Sequence, residues 1–185
     1  MHTQLFEGEL IRLGALDAER DAAIESKWTH DPEFARALTY DPVRPLSPNQ
    51  IKKKYEEMLK NERQYHFAIR ARDDDRMIGF IRISGIEWTN GIAWLSFGIG
   101  DAADRGKGFA REALRLALAY AFGELNLYRL TAITPEYNAR AQQILERAGF
   151  ALEVRRRQAI ARDGKRWDAL AYGMLRDEWV NGETR

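Results

Sequence analysis

Apolar and polar positions alternate with two periods along this chain, one near two and one near 3.6, and the switches between them outline its elements. Leu10-Ile11-Arg12-Leu13 reads as a first strand, and Asp17 to Lys27 as a helix with Asp17 as its N-cap. Residues 30–46 hold Pro32, Pro42 and Pro45 with Asp31 and Asp41, the composition of a loop with room for a short helical turn. Ser47-Pro48-Asn49-Gln50 is a helix start: Ser47 can cap the Gln50 amide, Gln50 can reach back, and Pro48 sits where a missing N–H does no harm. Ile51, Tyr55, Met58 and Leu59 follow as an apolar stripe at helical spacing.

The period then shortens. Tyr65 to Arg72 alternates, Asp73-Asp74-Asp75 makes a turn, and Met77 to Trp88 reads as a long strand. Thr89-Asn90-Gly91 signals a hairpin, and Ile92 to Gly100 is a strand apolar on both faces, hence central. Residues 106–123 form a strongly apolar helix. Tyr128 to Thr134 is a strand, and Asn138 to Arg147 a helix ended by Gly149. Phe150 to Ala161 and Arg166 to Leu175 are strands joined by a turn at 162–165. The order is strand, two helices, three antiparallel strands, helix, strand, helix, two strands. It predicts one domain over residues 1–185, with a core at about 7–179, of the α/β class: a mixed sheet of about seven strands and four helices.

Composition narrows the chemistry. The chain has 185 residues, 29 basic against 28 acidic side chains, a net charge of +1 and no cysteine. Such balance argues against nucleic acid or an anionic membrane as the partner. The absence of cysteine excludes disulfides, cysteine nucleophiles and thiolate metal sites, and His2, His30 and His66 are too scattered for a histidine-rich metal site. No basic start precedes an apolar stretch, and no run approaches the roughly 18 apolar residues of a membrane span. The expectation is a cytoplasmic protein without a metal.

The informative stretch is Arg105-Gly106-Lys107-Gly108-Phe109-Ala110, between a central strand and a long helix. Two glycines let the main chain turn tightly and let a ligand approach it. The first amides of the helix lack partners and lie at the positive end of its dipole, a ready site for phosphate or pyrophosphate. Arg105 and Lys107 add charge beside it. A Walker loop is absent, and the third glycine of a Rossmann fingerprint is missing.

This loop resembles the Arg/Gln-x-x-Gly-x-Gly/Ala signature of the GCN5-related N-acetyltransferases. Asn138-Ala139-Arg140-Ala141, followed by Leu145-Glu146-Arg147-Ala148-Gly149-Phe150, is similar to the family's second signature. The closing hairpin, with Asp163-Gly164 and Asp168, then Glu178-Trp179, resembles the branch of ribosomal-protein N-terminal acetyltransferases and spermidine acetyltransferases. The resemblance implies acetyl-CoA as co-substrate, held where two parallel strands, Leu95 to Gly100 and Tyr128 to Thr134, splay apart. Main-chain groups of Phe97, Gly98 and Ile99 would pair with the pantetheine arm, and amides of residues 106–110 would hold the pyrophosphate. Asn138 would reach the cofactor, and Arg140 would meet the adenosine phosphate. The implied reaction is direct acetyl transfer to an amine: a protein N-terminus first, then a polyamine or other small amine.

Two positions depart from the family pattern. Leu145 stands where many members carry a tyrosine acid, and Leu95 where some carry a glutamate base. A thiolate with an ordinary pKa near 8.5 is a tolerable leaving group without that acid. Glu87 is the nearest replacement carboxylate, and Ser96 a neighbour able to hold water or substrate. Tyr137, next to Asn138, can line the cleft or serve ordinary packing, whereas His66 lies too early in the chain to be a base there. Trp28, Tyr40, Trp88, Trp94 and Trp167 fall on segments that in this fold rim the acceptor side, where aromatics favour a cationic amine. Lys52-Lys53-Lys54 reads as a solvated helix face and Arg155-Arg156-Arg157 as a basic run on a strand. Competing readings are a non-catalytic acyl-CoA-binding or regulatory module and a nucleotide-phosphate binder. Edge strands at the C-terminal hairpin leave room for a homodimer.

Overall fold

A computed structural model describes residues 4–179. Its elements run β1 (Ile11–Ala15), α1 (Arg20–Trp28), α2 (Pro32–Leu38), α3 (Pro48–Leu59), β2 (Tyr65–Ala71), β3 (Met77–Glu87), β4 (Ile92–Ile99), α4 (Phe109–Ala119), β5 (Arg129–Pro135), α5 (Ala139–Arg147), β6 (Ala151–Arg162) and β7 (Lys165–Leu175). All seven strands join one sheet in the order β1-β2-β3-β4-β5-β7-β6. Every pairing is antiparallel except β4 with β5. None of the described helices is long and apolar enough to cross a membrane.

Local chemistry explains most element starts. The Asp17 carboxylate accepts from the amides of Glu19 and Arg20, so it caps the approach to α1 although the helix itself begins at Arg20. The capping box at α3 forms as its sequence demands: Ser47 Oγ accepts from the Gln50 amide, and Gln50 Oε1 from the Ser47 amide. Ile51 and Tyr55 of its stripe are buried, while Leu59 is exposed.

The structure corrects two sequence expectations. Residues 32–38, read as part of a loop with room for a short helical turn, form the seven-residue helix α2, which raises the helix count from four to five. Seven residues are too few to show a periodic stripe, but Asp31 accepts from the Glu33 amide and Pro32 occupies the first turn, as helix starts do. The helix expected from residue 106 starts at Phe109, because Gly106 and Gly108 both adopt the left-handed conformation. It ends at Ala119 and passes into a π-helical turn over Tyr120–Glu124.

The sheet carries helices on both faces. On one, α4 and α5 bury Leu114, Leu116, Leu118 and Leu145 against Ile81, Ile83, Leu95 and Leu130. On the other, α1, α2 and α3 contribute Trp28, Phe34, Ile51 and Tyr55 around Ala68 and Phe80. Within that second layer Arg70 (1% exposed) meets Asp21 (0% exposed) at 2.6 Å, tying β2 to α1. Asp21 Oδ2 also accepts from the Asp17 amide. Replacing Arg70 by Met strands a buried carboxylate, so urea denaturation is expected to show a loss of about 3–5 kcal/mol, with much of it regained in an Arg70→Met, Asp21→Leu double variant.

His66 stands in the same layer, edge-on to Tyr55 and Phe80, with both ring nitrogens sealed and unpartnered. Burial, aided by Arg82 and Lys54, pushes its pKa down to about 3 from 6.5. The folded state therefore refuses a proton that the unfolded chain accepts. The stability this provides is complete above pH 6.5 and drains as pH falls toward 3, by about 1.4 kcal/mol per unit. Stability measured between pH 6.5 and 4 is expected to fall less steeply in His66→Phe than in the wild type.

Candidate active site

The parallel register of β4 with β5 lasts three residues: Ile92↔Arg129, Ala93↔Leu130 and Trp94↔Thr131. Beyond Trp94 the strands part. On its other side β4 stays paired with β3 as far as Ile99. Gly100 N–H donates to Ile78 O, so strand alternation turns the main-chain groups of Ser96 and Gly98 toward β3 and those of Phe97 and Ile99 toward the gap. Gly98 thus cannot offer its main chain to a ligand in the gap, contrary to the sequence expectation. Its missing side chain has a different use: a Cβ there would lie 3.0 Å from the Phe34 ring, so Gly98 lets α2 close on the sheet.

The gap opens into a cavity of about 600 Å³. Its walls are β4 from Leu95 to Ile99, β5 from Ala132 to Thr134, the glycine loop with the first turn of α4, one face of α5, and α2. Of the residues singled out in the sequence, Ser96, Phe97, Gly98, Ile99, Arg105, Gly106, Gly108, Phe109, Ala110, Asn138 and Arg140 all line it. So do Leu95, Leu145 and Tyr137. Glu87 does not. It sits at the β3–β4 turn, paired opposite Ile92, and accepts from Asn90 Nδ2. Lys107 also lies outside the lining, with its Nζ 3.5 Å from Asp104.

The anion-binding features survive in altered form. Gly108 (φ 89°) precedes α4 without a side-chain cap, which leaves the first-turn amides free. Gly106 (φ 83°) has open space where a Cβ would be. Arg105, expected to add charge for a phosphate, is instead a strut. It is ion-paired to Asp31 at 2.6 Å, donates to the carbonyls of Ile99 and Gly100, and stacks on Phe34. Positive charge comes from Arg111, Arg140 and Arg147, none of which has an ion-pair partner among the described residues. Sequence reading missed Arg111 and Arg147. Arg111 directly follows the first quoted motif and Arg147 lies within the second, and only the turn of each helix shows that they face the cavity. Asn138 Oδ1 caps α5 by accepting from the Ala141 amide.

Proton carriers are scarce in the lining. Its carboxylates are Glu33 and Asp104, and hydrogen bonding from Arg76 holds Asp104 below the usual carboxylate range. The Tyr137 hydroxyl donates to Arg36 O. Leu145 is a core residue, 1% exposed, and carries no proton. The aromatic rim divides. Trp28 packs on Phe34 in the core and Trp167 edges against Tyr137, while Trp94 (48% exposed) and Trp88 stand open. Burial raises the Tyr40 pKa to about 12. Of the basic runs, Lys52 and Lys54 pair with Glu19 and Glu25, and Arg155 is divided between Glu136 and Asp168.

An open strand edge, an uncapped helix N-terminus behind two left-handed glycines and three unpaired arginines fit an elongated ligand with a peptide-like arm and phosphates. A side chain at position 108 would force a left-handed turn on a residue with a Cβ and crowd the amides. Gly108→Ala is expected to weaken acetyl-CoA binding about tenfold or more in calorimetry, with a stability loss of only ~1 kcal/mol.

Comparison with known proteins agrees with this geometry. A family model described as an acetyltransferase (GNAT) domain matches residues 11–151. The Bacillus subtilis protein named probable N-acetyltransferase YjcK is 38% identical over 113 residues, covering 60% of this chain and 61% of its own. YokL of the same organism, an uncharacterized prophage-derived N-acetyltransferase, is 27% identical over 97% of both chains. The crystal structure of spermidine N-acetyltransferase from Vibrio cholerae with CoA and spermine superposes with a TM-score of 0.84 at 20% identity, covering 94% of this chain and all of that one. A sheet splayed at its one parallel pair, a glycine loop at the splay and a family match over most of the chain converge: this protein belongs to the GNAT acetyltransferase family.

Proposed function

We propose that the chain transfers an acetyl group from acetyl-CoA directly to a primary amine, and that the preferred amine is a protein N-terminus rather than a polyamine. The observation that carries the reaction is the break in the β4–β5 ladder beside the glycine loop. It supplies both the strand edge for a pantetheine arm and the amides for a pyrophosphate.

Acetyl-CoA, when bound, supplies an activated thioester. The protein's part is to place and desolvate. The main-chain groups of Phe97 and the N–H of Ile99 hold the arm, amides from Gly106 to Ala110 meet the pyrophosphate, and Arg140, Arg147 and Arg111 face the remaining phosphate. Asn138 positions α5 against the gap. Glu87 lies outside the cavity lining and takes no role in this reading. Leu95 and Leu145 carry no proton, the Tyr137 hydroxyl is spent on Arg36 O and Asp104 is held by Arg76, so in this reading the amine's proton leaves through water. Ser96, on the wall facing α2, holds that water or the acceptor. Orientation in a confined cavity accounts for most of the acceleration.

Charge supports the choice of acceptor. With Arg111, Arg140 and Arg147 given to the cofactor's phosphates, the lining offers a polycation only Glu33 and Asp104, and each already meets an arginine, Arg105 and Arg76. YokL and YjcK carry no acceptor in their names, whereas the Vibrio cholerae enzyme is a spermidine acetyltransferase.

Purified protein given acetyl-CoA is expected to release CoA with N-terminally free peptides and to turn over spermidine more slowly. Binding of acetyl-CoA with no transfer to any amine would reduce the protein to an acyl-CoA-binding module. Arg140→Ala is expected to raise the KM for acetyl-CoA roughly tenfold, the loss of one charge-assisted phosphate contact, with kcat unchanged.

A further inference from the structure

The sheet face opposite α4 carries a polar row that the proposed chemistry leaves unexplained. Register places His66 beside Arg82 on β2 and β3, and Arg82 beside Ser96 on β3 and β4. Ser96 lines the cavity just past the last β4–β5 pair, and Arg82 Nε donates to its Oγ at 3.3 Å.

Arg82 differs from the other interior arginines. Arg70 is paired with Asp21 and Arg105 with Asp31. Arg82 has no carboxylate within ion-pair distance among the described residues. The nearest acid in its field, Glu25, is engaged by Tyr55 and Lys54. Desolvation lowers the Arg82 pKa, the mark of a cation drawn out of water without compensation. Its terminal nitrogens have no hydrogen-bond partner among the described residues, yet they are not among the sealed atoms. Arg82 stands behind Ser96 rather than in the cavity lining itself, and a guanidinium held this way keeps a donor fork free for an oxygen that enters beside Ser96. Because Ser96 Oγ accepts from Arg82, its own proton is left to point elsewhere, as a second donor. Around the pair stand exposed apolar side chains: Trp94 on the same face of β4, Ile133 across the gap and Leu38 of α2.

We infer that Arg82 and Ser96 form the acceptor-recognition pair of this enzyme, binding a carbonyl or carboxylate oxygen on the carbon next to the reacting amine. The acceptor class is then an α-amino carbonyl compound, whether a peptide N-terminus or a free α-amino acid, with an apolar side chain against Trp94 and Ile133. A polyamine has no such oxygen and leaves both donors empty. This inference rests on the acetyltransferase reading and names the specificity of the same site.

The test compares leucyl-glycinamide, free leucine and 3-methylbutylamine, which is the leucine skeleton without its carboxyl group, with spermidine as a fourth amine. Wild-type kcat/KM is expected to be about a hundredfold higher for a carbonyl-bearing leucine compound than for 3-methylbutylamine, since a site built to hydrogen-bond rejects the analogue lacking the partner. The peptide amide and the free acid distinguish the two sources. Arg82→Met is expected to shrink that ratio to within about tenfold, through KM of the carbonyl-bearing acceptor, while acetyl-CoA affinity and the slow transfer to 3-methylbutylamine stay as they were. Equal wild-type rates for leucinyl compounds and 3-methylbutylamine, or an Arg82→Met variant that slows both alike, would overturn the pair's role. The wild-type comparison stands even if the variant does not fold. Transfer to amines without this preference removes only the acceptor assignment. Acetyl-CoA binding with no transfer at all removes the enzymatic reading and this inference with it.

Discussion

The molecule is organised around a ladder that stops. Three parallel pairs hold β4 to β5, and then the strands diverge while β4 remains bonded to β3 along its whole length. The main-chain groups of Phe97 and the N–H of Ile99 are left facing a cavity with no strand beside them, and a backbone polar group seeks a partner. That deficit is what a ligand with amide groups of its own can repay. The break needs reinforcement, and Arg105 provides it. Its guanidinium takes the carbonyls of Ile99 and Gly100 and pins them to Asp31 at the start of α2. The residue that sequence assigns to phosphate binding thus holds the end of the strand where the glycine loop begins.

Arginine serves three purposes here, separated by what each guanidinium meets. Arg70 and Arg105 are buried or nearly so, and each is matched by a carboxylate, so they fix one helix and one strand end. Arg111, Arg140 and Arg147 are unmatched and exposed on the walls that α4 and α5 give the cavity. Arg82 is unmatched and partly buried on the sheet face opposite α4, where its lost hydration is compensated only weakly by Ser96. A net charge of +1 conceals this arrangement, because it says nothing of which charges are paired and which are not.

The sequence made the glycine loop, the Asn138 helix and the strand order legible, because each rests on local rules. Left-handed glycines, an Asx cap and a period of two or 3.6 act over a few residues. Helix α2 was missed because seven residues amid prolines show no periodicity, although Asp31 and Pro32 mark its start. Its loss mattered, since Phe34 and Leu38 close one wall of the cavity. Glu87 was drawn toward the site because it is near Leu95 in a hairpin, yet strand geometry carries it to the far end of the sheet from the glycine loop.

The family, the sheet and the cofactor loop therefore follow from the amino-acid sequence alone, through residue types whose conformational preferences are decided by their neighbours in the chain. Tertiary structure decided which side chains share the cavity. Facing is set by strand alternation and by register between strands distant in sequence, so Gly98 turns its main chain away from the gap while Phe97 turns toward it. The same register brings His66, Arg82 and Ser96 into one row. Whether an arginine is a strut or is left free to meet a ligand depends on the carboxylate that folding places beside it, and no local pattern encodes that partner.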